Sequence, residues 1–292
     1  MKTTSHSEYL SLKSVYIKPV TNAFVSQNSL SEQWEALNYL SQPNFEKSKN
    51  EYKVFQKYIE KEGVELRFFP FEDKVKIDSI YCRDASIATD FGMILCNMGK
   101  KGRVNEPKSH LKEFKKQDIN VLGAIQHPGT IEGGDVAWID DKTIAVGHTY
   151  RTNSAGISQL KALLQPKGIE VIVADLPHYK GKEDVFHLMS IFSPIDKDLA
   201  VVYSPLMPIK FRNELLKRGF KLIEVPEEEF ESMGCNVLAI APRHCLVVDG
   251  NPKTKKLLIE ANCKVKVYKG NNISIKGGGG PTCLTRPLLR IY

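Results

Sequence analysis

The sequence predicts a single α/β domain, residues 1–292, built as a ring of repeated ββαβ modules. Three observations point there. Four consecutive stretches of about 50 residues repeat one order of strand, turn, strand, helix and strand. The two ends of the chain supply the parts of a fifth. No GxGxxG run opens a helix, so the signature of a doubly wound dinucleotide-binding sheet is missing.

In the first complete unit, strand 79–89 turns at Asp90-Phe91-Gly92 into strand 93–98, followed by helix 107–117 and strand 120–126. In the second, strand 135–139 turns at Asp140-Asp141-Lys142 into strand 143–147, then helix 155–164 and strand 169–174. The third runs from strand 187–192 through a turn at 194–197 to strand 199–203, helix 209–218 and strand 221–225. The fourth has strand 236–241, a turn at Pro242-Arg243-His244, strand 245–248, helix 252–261 and strand 264–268. The fifth combines strand 14–18, helix 45–61 and strand 64–69 with strand 282–289, which closes the ring against the N-terminal segment. Residues 20–44 show no strong period beyond a short helix at 31–39 and read as a lid or entrance segment.

Composition narrows the function classes. Hydrophobic residues make up 42% of the chain and charged residues 26%, which supplies an ordinary globular core. The formal net charge of +7 is spread over scattered pairs such as Lys100-Lys101, Lys115-Lys116 and Lys255-Lys256. No basic stretch is interleaved with aromatics, so nucleic acid is not the expected partner; a mildly positive field would instead collect small carboxylate-bearing molecules. No stretch approaches the roughly 20 apolar residues that span a bilayer, and residues 1–9 are polar without an apolar signal core. None of the six cysteines forms a CxxC pair and four lie in apolar runs, so free thiols in the reducing cytoplasm are expected rather than disulfides or a zinc site.

Four segments carry candidate chemistry. The glycine run 277–280 leads through Pro281-Thr282 into Cys283 and an apolar strand. A flexible linker is the plain reading of such a run, but a linker seldom enters a packed segment, and glycine lets the backbone approach a ligand closely. His187 opens an apolar strand, where a histidine is either a hydrogen-bonded core residue or a catalyst. Glu132 and Asp135 flank Gly133-Gly134, which is also turn chemistry. Arg83 and Asp84 sit within an apolar run, where charges are costly to bury unless partnered. Asp84, Glu132, His187 and Cys283 all fall at or near the first strand of their units. Modules set around a pseudo-symmetry axis would aim those strands at one central channel. The Glu227-Glu228-Glu229 run has no such placement and reads as a solvated helix start.

With these residues in place, the chain resembles the guanidino-group modifying enzymes, which include dimethylarginine dimethylaminohydrolases, arginine deiminases and amidinotransferases. The resemblance runs from about residue 16 to 290 and rests on five motifs in order: Tyr81-Cys82-Arg83-Asp84, Glu132-Gly133-Gly134-Asp135, Arg151-Thr152-Asn153, His187-Leu188-Met189-Ser190 and Gly278-Gly279-Gly280-Pro281-Thr282-Cys283. It implies a five-bladed α/β propeller, the pentein fold, with pseudo-fivefold symmetry. It implies Cys283 as nucleophile, His187 as general acid/base, and Glu132 as the carboxylate that orients the histidine and holds a guanidino nitrogen. It further implies that Asp84 binds the guanidinium and that Arg151, with Arg103 as a second, grips the substrate carboxylate. The competing reading of Arg151 is a solvent-facing residue before the helix cap at Asn153.

A guanidinium is planar, cationic and resonance-stabilised, so carboxylates that bind its N–H edges suit the task, and a nearby cation favours a thiolate. Neither metal nor organic cofactor is required by this chemistry. Where deiminases and amidinotransferases usually place an aspartate two residues after the histidine, this chain has Met189. The expected function is therefore hydrolysis of N-methylated arginine to citrulline and an amine. Arginine deiminase, amidinotransferase and a non-catalytic guanidino-binding module are the alternatives, and the oligomeric state is left open.

Overall fold

The computed structural model describes residues 4–184 and 186–292; residues 1–3 of the polar segment 1–9, and Val185 beside the His187 motif, lie outside the described residues. The chain opens with β1 (Ser11–Ile17), then α1 (Val20–Ala23), α2 (Gln27–Gln33), α3 (Phe45–Lys61) and β2 (Glu65–Phe68). The first complete module follows as β3 (Ser86–Thr89), β4 (Gly92–Leu95), α4 (Glu106–Lys116) and β5 (Val121–Ala124). The next has β6 (Val136–Trp138), β7 (Thr143–His148), α5 (Ser154–Leu164) and β8 (Glu170–Asp175). After it come β9 (Phe192–Asp196), β10 (Leu199–Val202), α6 (Ile209–Lys217) and β11 (Lys221–Glu224). The last complete module is β12 (Leu238–Ala241), β13 (His244–Val248), α7 (Pro252–Glu260) and β14 (Lys264–Tyr268), and β15 (Thr285–Ile291) ends the chain.

Each module forms one three-stranded sheet: an antiparallel hairpin, then a helix that returns the chain for a parallel third strand. The short turn makes the hairpin antiparallel, whereas the helical crossover permits only a parallel return. The fifth sheet joins the two ends of the chain: β1 pairs antiparallel with β15, Val15 opposite Pro287, and parallel with β2. Five such sheets are the number a five-module propeller requires. The first strands of neighbouring modules lie against one another, β15 on β3, β6 on β9 and β9 on β12, and β12 meets β1.

The helices follow their pattern. In α3, Tyr52, Phe55 and Ile59 recur at helical spacing and are buried, while the Asn44 side chain accepts from Lys47 N at 2.9 Å as the N-cap. Burying each such aromatic or aliphatic side chain contributes roughly 1.5–3 kcal/mol. No helix among the described residues is long and apolar enough to cross a membrane.

Three expected strands start later than the sequence pattern suggested. Residues 77–80 form a 3-10 turn rather than the start of a strand, and β3 begins only at Ser86. Residues 188–190 form another 3-10 turn, and β9 begins at Phe192 and runs through the expected turn residue Pro194. Cys283 lies in a turn two residues before β15. Their apolar runs are buried on every side, which removes the alternation that would mark strand from turn. The segment 20–44 holds α1 and α2, and Leu30, Leu37 and Tyr39 are buried. The glutamate run also differs from its reading: Glu229 is buried and its carboxylate accepts from Lys253 N and Thr254 N, both at 2.7 Å, satisfying the start of α7.

Candidate active site

The late strand starts matter because the turns just before β3, β6, β9, β12 and β15 converge. Each turn delivers one polar side chain: Asp84, Glu132, His187, Asn236 and Cys283. Turn backbones have groups to spare, and here those groups tie the turns together. Gly133 N donates to Asp84 O at 2.8 Å, and Arg83 N donates to Cys283 O at 3.2 Å.

Glu132 and His187 form the centre. His187 Nε2 meets Glu132 Oε2 at 2.9 Å, and both side chains are buried. Glu132 Oε1 accepts from Lys100 N at 2.8 Å and lies 3.8 Å from Arg151 Nη1. Burial alone would raise the Glu132 carboxyl, but the hydrogen bond and charge of His187, with Arg103 and Arg151 behind them, bring it down to about 2. Burial would lower His187; the Asp135 charge, the Glu132 hydrogen bond and the charges of Asp84 and Glu132 outweigh it and raise the imidazole to about 9. The site therefore holds a carboxylate–imidazolium pair at neutral pH.

Local sequence explains this placement. His187 N donates to Ser190 Oγ at 3.1 Å, and Leu188 N donates to Asp135 Oδ1 at 3.0 Å, which locks the 3-10 turn carrying the histidine. The Arg151-Thr152-Asn153 motif holds Glu132 from the other side. Thr152 Oγ1 accepts from Glu132 N at 3.2 Å, while Asn153 Oδ1 caps α5 at Gly156 N (2.8 Å) and accepts from Thr130 N (3.0 Å). Gly134 is required by contact rather than by turn geometry, because a Cβ there would lie 2.3 Å from His187 Nδ1.

Asp84 faces the same pair. Its Oδ1 accepts from Gly134 N at 2.9 Å and its Oδ2 from Arg103 Nη1 at 2.5 Å. Arg103 spends its other donors on Glu106, at 2.8 Å to each oxygen, and on Tyr81 O. Its contacts in this structure thus hold Asp84 in place. Arg151 is buried, so it is not the solvent-facing residue of the competing reading, and its Nη2 donates to Glu183 O at 3.3 Å.

Cys283 is half-buried, whereas the other five cysteines are buried, and all six are free. Burial, then the Asp84 charge, raises its thiol above the ordinary value, opposed by hydrogen bonds from Thr282 and Asn236 and by the charge of Arg83. The glycine run is wrapped around an aromatic ring: a Cβ at Gly277 would lie 2.0 Å from the Tyr81 hydroxyl, and one at Gly279 2.4 Å from its ring.

Cys283 and His187 line two adjoining cavities. The inner one, about 20 Å³, is walled by Asp78, Asp84, Lys100, Arg103, Glu132 and Arg151. The outer one, about 320 Å³, has an apolar wall of Leu40, Phe186, Met189, Phe230 and Met233. Met189 is also part of the core and is 2% exposed. Ligand atoms of Asp84, Glu132 and His187 lie within 4.8 Å of one another, a grouping that can hold a cation. The two carboxylates also suit an organic cation with N–H edges, which they can accept from directly.

Sequence reasoning missed three of these residues. Asp78 and Lys100 are paired at 2.6 Å, with Lys100 Nζ also donating to Leu37 O at 2.7 Å. Asn236 Nδ2 donates to Cys283 Sγ at 3.4 Å, while its Oδ1 accepts from Thr282 N at 3.0 Å and Thr282 Oγ1 at 2.9 Å. The repeat itself contained the signal for Asn236, since it occupies in its module the place that Asp84 and Cys283 occupy in theirs. A hydrogen bond to a thiolate is charge-assisted, so Asn236→Ala should shift the pH midpoint of Cys283 alkylation upward by roughly one unit. Iodoacetamide labelling of the Cys283 peptide measures this, and an unchanged midpoint in a folded variant would contradict it.

The family described as N,N dimethylarginine dimethylhydrolase, eukaryotic, matches residues 18–290. The uncharacterized protein YkgA of Bacillus subtilis (strain 168) is 30% identical over 228 residues, covering 78% of this chain and 75% of YkgA. An arginine deiminase of Listeria welshimeri is 24% identical over 252 residues; the match covers 72% of this chain and 61% of the deiminase, less than two thirds of it. Among solved structures, DDAH from Pseudomonas aeruginosa, a cysteine-to-serine mutant complexed with citrulline, superposes with a TM-score of 0.77 at 20% identity, covering 96% of this chain and 100% of that one. The N-terminal domain of ArgZ, a cyanobacterial arginine dihydrolase bound to product, gives 0.80 at 17% identity, with 96% and 98% covered. These structural likenesses establish a common fold.

Proposed function

The chain belongs to the N,N dimethylarginine dimethylhydrolase family, eukaryotic, within the guanidino-group hydrolases and transferases of the pentein superfamily, and from that premise we propose that it hydrolyses N-methylated arginine to citrulline and an amine. The observation that carries the proposal is the convergence of Cys283, the Glu132–His187 pair and Asp84 on one cavity wall. We read residues 1–292 as one catalytic domain, its five sheets as a closed five-bladed propeller, and residues 20–44 as a lid or entrance segment. Asn38 and Leu40 border the outer cavity, and Leu40 N donates to Lys276 O at 2.7 Å, which supports the lid reading.

In the proposed reaction the substrate guanidinium lies against Asp84 and Glu132, which accept from its N–H edges. Its positive charge beside Sγ, together with the imidazolium of His187, favours the Cys283 thiolate. Sulfur attacks the central carbon. His187 gives its proton to the departing amine, leaving a thiouronium on Cys283, and then accepts a proton from the attacking water; collapse of that adduct breaks the C–S bond, releasing citrulline and the Cys283 thiolate. Arg151 is assigned to the substrate carboxylate, with Lys100 and Arg103 as neighbouring cations.

The choice of substrate rests on Met189. A thioether accepts hydrogen bonds poorly, so an unsubstituted guanidinium leaves donors unpaired at about 1–3 kcal/mol, while an N-methyl group removes donors and adds apolar surface. The apolar outer cavity beside His187 and Cys283 supports the same direction. We expect kcat/KM for asymmetric dimethylarginine to exceed that for arginine by roughly 10-fold or more. Dimethylamine and ammonia release measure the two rates, and faster turnover of arginine would favour the deiminase reading. Transfer to an added amine in place of water would favour an amidinotransferase, and no turnover of either would favour a guanidino-binding module.

A further inference from the structure

Behind the catalytic turns lies a second charged cluster that the proposed reaction does not use. Arg83, Arg286 and Arg290 are 1%, 4% and 3% exposed, and one carboxylate, Glu8, stands among them at 6%. Arg83 Nη2 donates to Glu8 Oε1 at 2.7 Å and to Val136 O at 3.4 Å. Arg286 Nη1 donates to Ser86 O at 2.8 Å and Arg290 Nη1 to Leu10 O at 2.5 Å. The cluster thus joins β3, β6 and β15 to the N-terminal segment.

Two independent features leave it incomplete. Nε and Nη1 of Arg83, and Nε and Nη2 of Arg290, are buried without a hydrogen-bond partner among the described residues. Charge does not balance either: three guanidiniums face one carboxylate. The charges of Arg83 and Glu8 both bear on Arg286 and Arg290. The neighbouring thiols of Cys82 and Cys96 are pushed upward by burial and stay neutral. Asp84 is turned away toward Arg103 and Gly134. Unpaired buried charge and unmet guanidinium donors are among the most costly features a core can hold.

We propose that this cluster binds a small monovalent inorganic anion, a halide, between Arg83 and Arg290. Burial of the unpartnered nitrogens favours a small ion of single charge, because a divalent oxyanion would lose far more hydration on entry than a halide. The site is structural, knitting the N-terminal segment to β15, and its readout is stability rather than turnover.

The test uses the full chain. Thermal unfolding is followed in sodium chloride, sodium bromide and sodium sulfate at equal ionic strength, and crystals soaked in bromide are examined for anomalous scattering. A ligand that binds only the folded state raises Tm with its concentration. Chloride and bromide should therefore raise Tm by a few degrees with a half-saturating concentration, a signature separate from the general stabilisation that excluded sulfate gives, with a bromide peak between Arg83 and Arg290. Arg290→Gln should lose the halide-specific shift. Glu8→Gln, which removes the competing carboxylate, should lower the half-saturating bromide concentration, so the test stands even if Arg290→Gln does not fold. Superimposable salt curves would overturn the proposal, as would a peak without a halide-specific shift, which marks an adventitious ion only.

Discussion

Cys283→Ser should lower kcat by at least roughly 10⁴-fold while the protein keeps its fold and its ligand. The change replaces sulfur by oxygen in a side chain held by Thr282 and Asn236, and both contacts suit a hydroxyl as well as a thiol. What changes is the nucleophile. A thiol can be ionised by a bound guanidinium, even though burial and Asp84 push it upward. A serine hydroxyl is far less acidic, and the Asp135 charge, the Glu132 hydrogen bond and the Asp84 charge favour the protonated form of His187, which makes it a poor base for activating serine. Substrate should still bind, because Asp84, Glu132 and Arg151 are untouched. Steady-state rates and calorimetric binding to the variant check both halves, and a serine variant that turns over within tenfold of wild type would contradict the assignment.

His187→Ala should lower kcat by roughly 10²–10⁴-fold, with a smaller change in KM. Without the imidazolium, the amine must leave as its anion or await a proton from water. Glu132→Gln should be nearly as damaging, because the neutral amide keeps the shape but removes the charge that stabilises His187 and meets the guanidinium. A stability readout separates this pair from a merely structural one. The folded pKa of His187 is raised from 6.5 to about 9. Its stabilising contribution is therefore complete below the unfolded value near 6.5 and is lost as pH rises through about 9. The wild-type advantage over His187→Ala in unfolding free energy should shrink across that window. An advantage that grows with pH would reverse the sign of the coupling, and near-normal rates in both variants would move proton transfer elsewhere.

Much of this architecture was legible from the residues. Strand-like runs, hairpin turns and helical segments in a repeated order defined four modules, and helix α3 was expected over its observed span, Phe45–Lys61. The pairing of β1 with β15, which joins the two ends of the chain, was legible because the four complete units left the strand-like segments at both ends to make up a fifth. The turns before β3 and β9 were not legible. Ile80, Tyr81 and Cys82, or Leu188 and Met189, are buried in turns and carry the composition of strands. Asp78, Lys100 and Asn236 were missed for another reason. Each is an ordinary polar residue whose role follows from a partner far away in sequence: Lys100 for Asp78, and Cys283 for Asn236. Lys100 reads on the sequence as half of one scattered basic pair, yet its backbone and side chain contact Glu132, Asp78 and Leu37.

The covalent step is open to one direct observation. Asymmetric dimethylarginine is mixed with the enzyme, the reaction is quenched in acid within a turnover, and the peptide containing Cys283 is weighed. The account predicts an adduct equal to the substrate less dimethylamine, present on Cys283 alone and absent from Cys283→Ser. Release of citrulline and dimethylamine with no adduct on Cys283 at any quench time, or an adduct on another cysteine, would contradict it.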